Sequence, residues 1–134
     1  MERKVFLALA SAGVLLAAMP VWAHHSAAAA FDPAKPVTLT GVVAEVRLEN
    51  PHSWFFVDVT DESGKVTKWG FEGTPPTALI RSGYKRDALK PGDKVTVKGV
   101  HSRDLSVNMG AAHEIVLLSD GKTFVVGPRN GGNN

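Results

Sequence analysis

The chain has 134 residues and contains no cysteine, which excludes disulfides and a lipid-modified cysteine. Lys and Arg number 15 against 13 Asp and Glu, so the formal net charge is only +2. This near balance argues against nucleic acid and anionic membrane surfaces as partners. The length fits one small domain with its own hydrophobic core.

The first 23 residues have the pattern of a cleaved secretion signal. Residues 1–4 are net positive, residues 5–18 are apolar, and Val21 and Ala23 occupy the positions that signal peptidase reads. The apolar stretch is too short for a membrane span, so no stable membrane anchor is expected. Because cysteines and N-glycosylation sites are both absent, we expect secretion into a bacterial periplasm.

Cleavage after Ala23 would make His24 the first residue of the mature chain, followed directly by His25. His24 would then offer an α-amine and an imidazole for chelation, and His25 would add a second imidazole. Imidazole suits copper, zinc and nickel, and Cu(II) has the highest affinity in the divalent series. The alternative is a solvated or packed terminus that binds no metal.

Beyond the signal, the pattern predicts an arm, a β-rich domain and a tail. Residues 24–36 form the arm, because Pro33 and Pro36 oppose both helix and central strand. The domain covers residues 37–127, and the polar tail over residues 128–134 is predicted to be disordered. Alternating apolar residues and turn signals predict six strands, over residues 40–48, 54–60, 66–72, 94–101, 111–118 and 123–126.

One short helix is predicted near residues 75–82, between the third and fourth strands. Thr74 is expected to cap it, Pro75 to occupy its first position and Gly83 to follow its end. The order of elements, three strands followed by a helix and then further strands, predicts an all-β fold with one short helix. The architecture expected from this order is an OB-like Greek-key barrel of five to six strands. An SH3-like barrel and a small sandwich are alternatives that the strand count does not separate.

Three further histidines are candidate metal ligands. His52 lies in the turn before the second strand, at a barrel rim that a folded-back arm can meet. His101 and His113 are reserve ligands, each in phase with apolar residues of its strand. The spacing matches no standard zinc motif, so the fold would have to assemble any site. Local hydrogen bonding or core packing is the alternative for each of the three.

Four aromatic residues on two neighbouring strands form a second candidate site. Trp54 and Phe56 share one face of the second strand, and Trp69 and Phe71 share one face of the third. Together they would form a stacking platform of the kind that OB-folds use for ligands. Cross-strand packing in the core is the alternative.

The chain resembles an uncharacterised family of small secreted bacterial proteins, described as a domain of unknown function. The shared features are a His-His-Ser mature start, Phe-Asp-Pro, Lys-Pro-Val-Thr-Leu, Asn-Pro-His, Trp-x-Phe-Glu and Leu-Lys-Pro-Gly-Asp. These motifs stand here at residues 24–26, 31–33, 35–39, 50–52, 69–72 and 89–93. The resemblance implies a periplasmic OB-like domain and no established activity.

These observations predict a periplasmic protein that binds a transition metal, copper before zinc, through His24, His25 and His52. The chain has no nucleophile elbow, no catalytic cysteine and no phosphate-binding loop, so no enzymatic activity is expected. Metal affinity should fall as the pH drops, because histidine ligands must lose their protons. The alternatives are a non-metal module that binds a small ligand or an envelope protein, and a purely structural protein.

Overall fold

The computed structural model describes residues 27–128. The predicted signal, His24, His25 and the tail beyond Pro128 lie outside this part of the chain. Among the described residues, no helix is long and apolar enough to cross a membrane. The elements are α1 (Ala27–Ala30), β1 (Phe31–Arg47), β2 (Trp54–Thr60), β3 (Val66–Glu72), α2 (Pro76–Arg81), β4 (Lys94–Ser102), β5 (Met109–Leu117) and β6 (Thr123–Val125).

Five of the six strands close into a ring. β1 pairs with β2 and β4, β2 pairs with β3, and β4 pairs with β5, all antiparallel. A short parallel contact between β3 and β5 completes the ring, and β6 adds to β5. The ring order β1-β2-β3-β5-β4, with α2 between β3 and β4, is the order of an OB-type fold. The predicted OB-like architecture is confirmed.

β1 begins at Phe31, within the predicted arm, whereas the sequence pattern predicted a strand only over residues 40–48. It pairs with β4 at Phe31 and again from Pro36 onward, with an irregularity between these two points. Pro33 lies in the irregular part, where a residue without an N–H group interrupts no ladder hydrogen bond. The arm is therefore attached along β4 as an extension of the sheet.

Gly41 allows β1 to change partners in mid-strand. The next residue, Val42, is opposite both Asp58 on β2 and Lys94 on β4. A Cβ atom on Gly41 would lie 2.4 Å from the carbonyl oxygen of Asp58 and 2.7 Å from the side chain of Val57. Only a residue without a side chain permits this close approach of β1 and β2.

The hydrophobic core fills the ring, and α2 contributes to one end of it. β2 and β4 alternate buried apolar residues with more exposed ones, as the sequence pattern predicted. Fully buried side chains from the strands, from α2 and from the segment after β6 interlock there: Phe55, Val57, Phe71, Leu79, Val95, Val97, Ile115 and Val126.

The start of α2 differs from the prediction. Pro75 is the N-cap residue and no side chain caps the helix, so the predicted Thr74 cap is wrong. Thr74 uses its backbone instead: its N–H donates to the carbonyl of Val126 at 2.7 Å, and its carbonyl accepts from the N–H of Ser53 at 3.2 Å. Thr74 thus ties the start of α2 to the segments on either side.

The end of α2 follows the prediction at Gly83, which has φ of +94°. The N–H of Gly83 donates to the carbonyl of Ile80, and the N–H of Tyr84 donates to the carbonyl of Leu79, both at 3.0 Å. This pair of bonds is a Schellman motif, which favours glycine at the left-handed position. The motif delivers Tyr84 into the core, where its ring packs edge-on against Phe124.

Replacing Gly41, where a side chain would overlap β2, should destabilise the fold more than replacing a glycine that is needed only for its positive φ angle. We expect Gly41→Ala to lower the free energy of unfolding by about 3 kcal/mol, because the new methyl group overlaps β2. Gly64 has φ of +85° and no atom within 4 Å of its Cβ position. Gly64→Ala should therefore cost about 1 kcal/mol. Urea denaturation measures both values, and equal losses would contradict this account of β1.

Tyr84 should titrate far above an exposed tyrosine. Burial raises the pKa of Tyr84 to about 12. It is the only tyrosine in the chain, so tyrosinate absorbance reports on this side chain alone. We expect a midpoint of about 12 in the folded protein, and of about 10 in urea.

Because its folded pKa is raised, the stability that Tyr84 contributes is complete below pH ~10 and is lost as the pH rises towards ~12. Tyr84→Phe should abolish the absorbance change altogether. A midpoint near the ordinary value in the folded protein would mean that the ring is exposed.

Candidate functional site

A mainly apolar groove of about 380 Å³ is lined by both His52 and His113. We call it the histidine groove. Phe31 and Pro33, from the arm, form part of its wall. Its other lining residues come from β3, β4, β5 and the segments that follow β3 and β6, and include Glu72, Thr74, Pro75, Val100, Ala111 and Pro128.

His52 is held by a carboxylate. It lies between β1 and β2, after the cis peptide bond between Asn50 and Pro51. Its Nδ1 contacts Oε1 of Glu72, whose side chain is only 16% exposed, against 40% for His52. When Nδ1–H donates to this carboxylate, Nε2 is the ring nitrogen left for a ligand. A carboxylate on the far nitrogen is the usual way in which proteins orient a metal-binding imidazole.

His113 lies at a β-bulge. On either side of it, Glu114 is opposite Lys98 and Ala112 is opposite Gly99, so His113 has no partner on β4. The bulge interrupts the alternation of β5, and Ala112 is the fully buried neighbour while His113 is half-buried. The predicted phase of His113 with the apolar residues of its strand is therefore lost at the bulge. Bulges commonly turn a side chain towards a site in this way.

The ring of His113 is oriented by a backbone carbonyl. Its Nδ1 lies 3.2 Å from the carbonyl oxygen of Pro128, and because a carbonyl only accepts, Nδ1 donates. Nε2 then carries the lone pair, and it is buried with no hydrogen-bond partner among the described residues. A buried polar atom left unpaired costs about 1–3 kcal/mol. A bound ion or ligand is one of the ordinary explanations for such an atom.

His101 belongs to a different part of the molecule. It does not line the histidine groove. Its Nδ1 donates to the carbonyl of Ser102 at 2.9 Å, and its ring packs edge-on against Trp69 with centroids 5.1 Å apart. Of the two reserve histidines, the fold therefore groups His113 with His52.

The described residues do not complete a metal site by themselves. Within residues 27–128, no three His, Asp or Glu side chains are close enough together to hold a metal ion. The predicted ligands His24 and His25 lie outside this range. A site at the histidine groove would therefore need ligands from elsewhere, such as these two residues.

The four aromatic residues form two pairs on opposite faces of the sheet. Trp54 and Phe56 lie half-buried on the outer face, stacked with centroids 6.2 Å apart and packed over Gly70. Trp69 and Phe71 stack at 5.8 Å on the inner face, where Phe71 is fully buried. The four rings therefore do not form one continuous platform.

Sequence reasoning did not identify Glu72 as a site residue. Glu72 ends the Trp-x-Phe-Glu motif, and His52 ends the Asn-Pro-His motif, so both were visible in the family resemblance. Their contact depends on the register of β2 and β3, which places Trp54 opposite Glu72. Local sequence patterns do not reveal this register.

The model of DUF6152, a family of unknown function, matches residues 11–111. The matched part includes the predicted ligands His24, His25 and His52, together with Glu72, and it ends two residues before His113. No curated protein matches the sequence. The family match covers well over half of the chain and confirms the resemblance, and the chain therefore belongs to DUF6152.

Proposed function

We propose that this protein binds a transition metal in the periplasm, with copper favoured over zinc. It buffers the metal or passes it on, without catalysis. The observation that carries the proposal is that His52 and His113 both line one groove. Each ring has its Nδ1 held by an oxygen, from Glu72 and from Pro128 respectively. This arrangement reserves both Nε2 atoms for a metal.

The arm supplies the remaining ligands in this proposal. Phe31 lines the groove and follows His25 by six residues. An extended chain spans at most roughly 3.6 Å per residue, so in this proposal a connection of up to about 25 Å is available between Phe31 and the two histidines. The base of the arm is fixed to the loop after β4, because the N–H of Arg103 donates to the carbonyl of Ala30 at 2.9 Å.

The donor set favours copper. An amino-terminal amine, neutral imidazoles and a deprotonated amide nitrogen are nitrogen ligands, and Cu(II) binds such sets more tightly than the other divalent first-row metals. The carboxylate of Glu72 raises the basicity of His52 and compensates part of the metal charge.

The alternative function, a non-metal binding module, rests on the outer aromatic pair. Trp54 and Phe56 are partly accessible, but the guanidinium of Arg47 already lies over the Phe56 ring at 4.8 Å. Trp54 is also opposite Glu72, which holds His52. The half-buried aromatic pair thus adjoins Glu72 of the histidine groove, which supports the metal proposal over a separate aromatic platform.

The amino terminus should be essential for tight binding. We expect the processed protein, beginning at His24, to bind Cu(II) at least about tenfold more tightly than a version with one extra residue before His24, because the extension removes the amine chelate. Calorimetric titration with Cu(II) and with Zn(II) measures the difference. Equal and weak binding by both versions would eliminate the amino-terminal site.

Substitutions in the groove should rank in a defined order. His52→Gln and His113→Gln each remove a ligand and should weaken Cu(II) binding by about a hundredfold, whereas Glu72→Gln should cost about tenfold because it only misorients His52. His101→Gln is the matched control and should leave the affinity unchanged. Calorimetry on variants with unchanged thermal unfolding tests the order, and an equal loss from His101→Gln would contradict it.

A further inference from the structure

A second cavity, which we call the α2–β6 cleft, lies away from the two groove histidines. It has a volume of about 400 Å³ and shares Thr74 with the histidine groove. One side comes from the end of α2 and the residues after it, and the other comes from β6 and the residue before it. The lining includes Ser82, Gly83, Tyr84, Lys122, Thr123 and Val125.

The strand on one side of this cleft has an open edge. Among the described strands, β6 pairs only with β5. The carbonyl of Lys122 and the N–H of Val126 both bond to β5. Because successive residues of an antiparallel strand point their backbone groups in opposite directions, those of Thr123 and Val125 point away from β5. Both of these residues line the cleft.

We propose that the α2–β6 cleft binds an extended acidic peptide segment of another protein, which adds to β6 as a further strand. In this mode the main-chain hydrogen bonds supply affinity, and pockets for alternate side chains supply specificity. The backbones of Thr123 and Val125 provide the hydrogen bonds. Val125, whose side chain is 40% exposed, and the cleft floor at Tyr84 provide apolar contacts for alternate peptide residues.

The charge of the surroundings selects an acidic occupant. Lys122 lines the cleft, Arg81 lies in the last turn of α2, and Lys85 directly follows the cleft residue Tyr84. Among the described residues, none of these three cations forms an ion pair, and the ammonium of Lys122 lies over the Phe124 ring at 5.2 Å. Carboxylates on an incoming strand would complement them.

The length of β6 argues against a second copy of this chain as the occupant. β6 has only three residues, so pairing of β6 with β6 across a two-fold axis would bury far less apolar area than a stable dimer needs.

The test uses capped hexapeptides of alternating residues, Glu-Val and Lys-Val, titrated into the processed protein and followed by amide NMR shifts. We expect the Glu-Val peptide to shift the amides of Thr123 and Val125, and to bind at least about tenfold more tightly than the Lys-Val peptide. Equal binding of both peptides, or no binding of either, would overturn the proposal.

Two variants locate the binding. Val125→Pro removes an N–H that points into the cleft but no bond to β5, so it should abolish binding, while the matched control Val125→Thr should retain it. Lys122→Glu should reverse the preference between the two peptides. Because this substitution changes only a side-chain charge, it leaves the backbone hydrogen bonds of β6 in place. Glu-Val binding that survives both Val125→Pro and Lys122→Glu would overturn the proposal, as would sedimentation that shows a dimer through β6.

Discussion

The short parallel contact between β3 and β5 is the constraint on which both the ring and the histidine groove depend. It closes the ring, and it places Glu72 opposite Ala111, close in sequence to His113. Gly110 makes the contact possible, since a Cβ there would lie 2.6 Å from the carbonyl oxygen of Val100 and 3.1 Å from the ring of Phe71. Without this contact the sheet would stay open between β3 and β5. The groove residues Ala111, Ala112 and His113 of β5 would then not lie beside Glu72 of β3.

In the histidine groove, an oxygen atom orients each imidazole ring: a carboxylate oxygen for His52 and a backbone carbonyl oxygen for His113. His52, His101 and His113 all have Nδ1 against an oxygen acceptor. What distinguishes the first and third is their position, because they line one cavity whereas His101 packs against Trp69. An oxygen acceptor at Nδ1 is thus common to all three histidines, and the topology of the strands decides which two line one groove.

The segment between β3 and α2 lines both cavities. Thr74 lines both cavities, and its backbone bonds link Ser53, next to His52, with Val126, directly after β6. The proposed metal site and the proposed peptide cleft therefore both adjoin this bonded segment. Backbone hydrogen bonds and the proline at position 75, rather than a side-chain helix cap, hold this segment in place.

The sequence by itself determined the strands, the helix and their order, because these depend on local periodicity and on turn residues such as Gly83. The bounds of β2 and β3 were predictable to the residue, and the family match followed from short motifs. The tertiary structure decided the rest: the attachment of the arm to β4, the bulge at His113, and the opposite faces of Trp54 and Trp69. Strand register and bulges arise from pairing between distant segments, and no local pattern of apolar residues specifies such pairing.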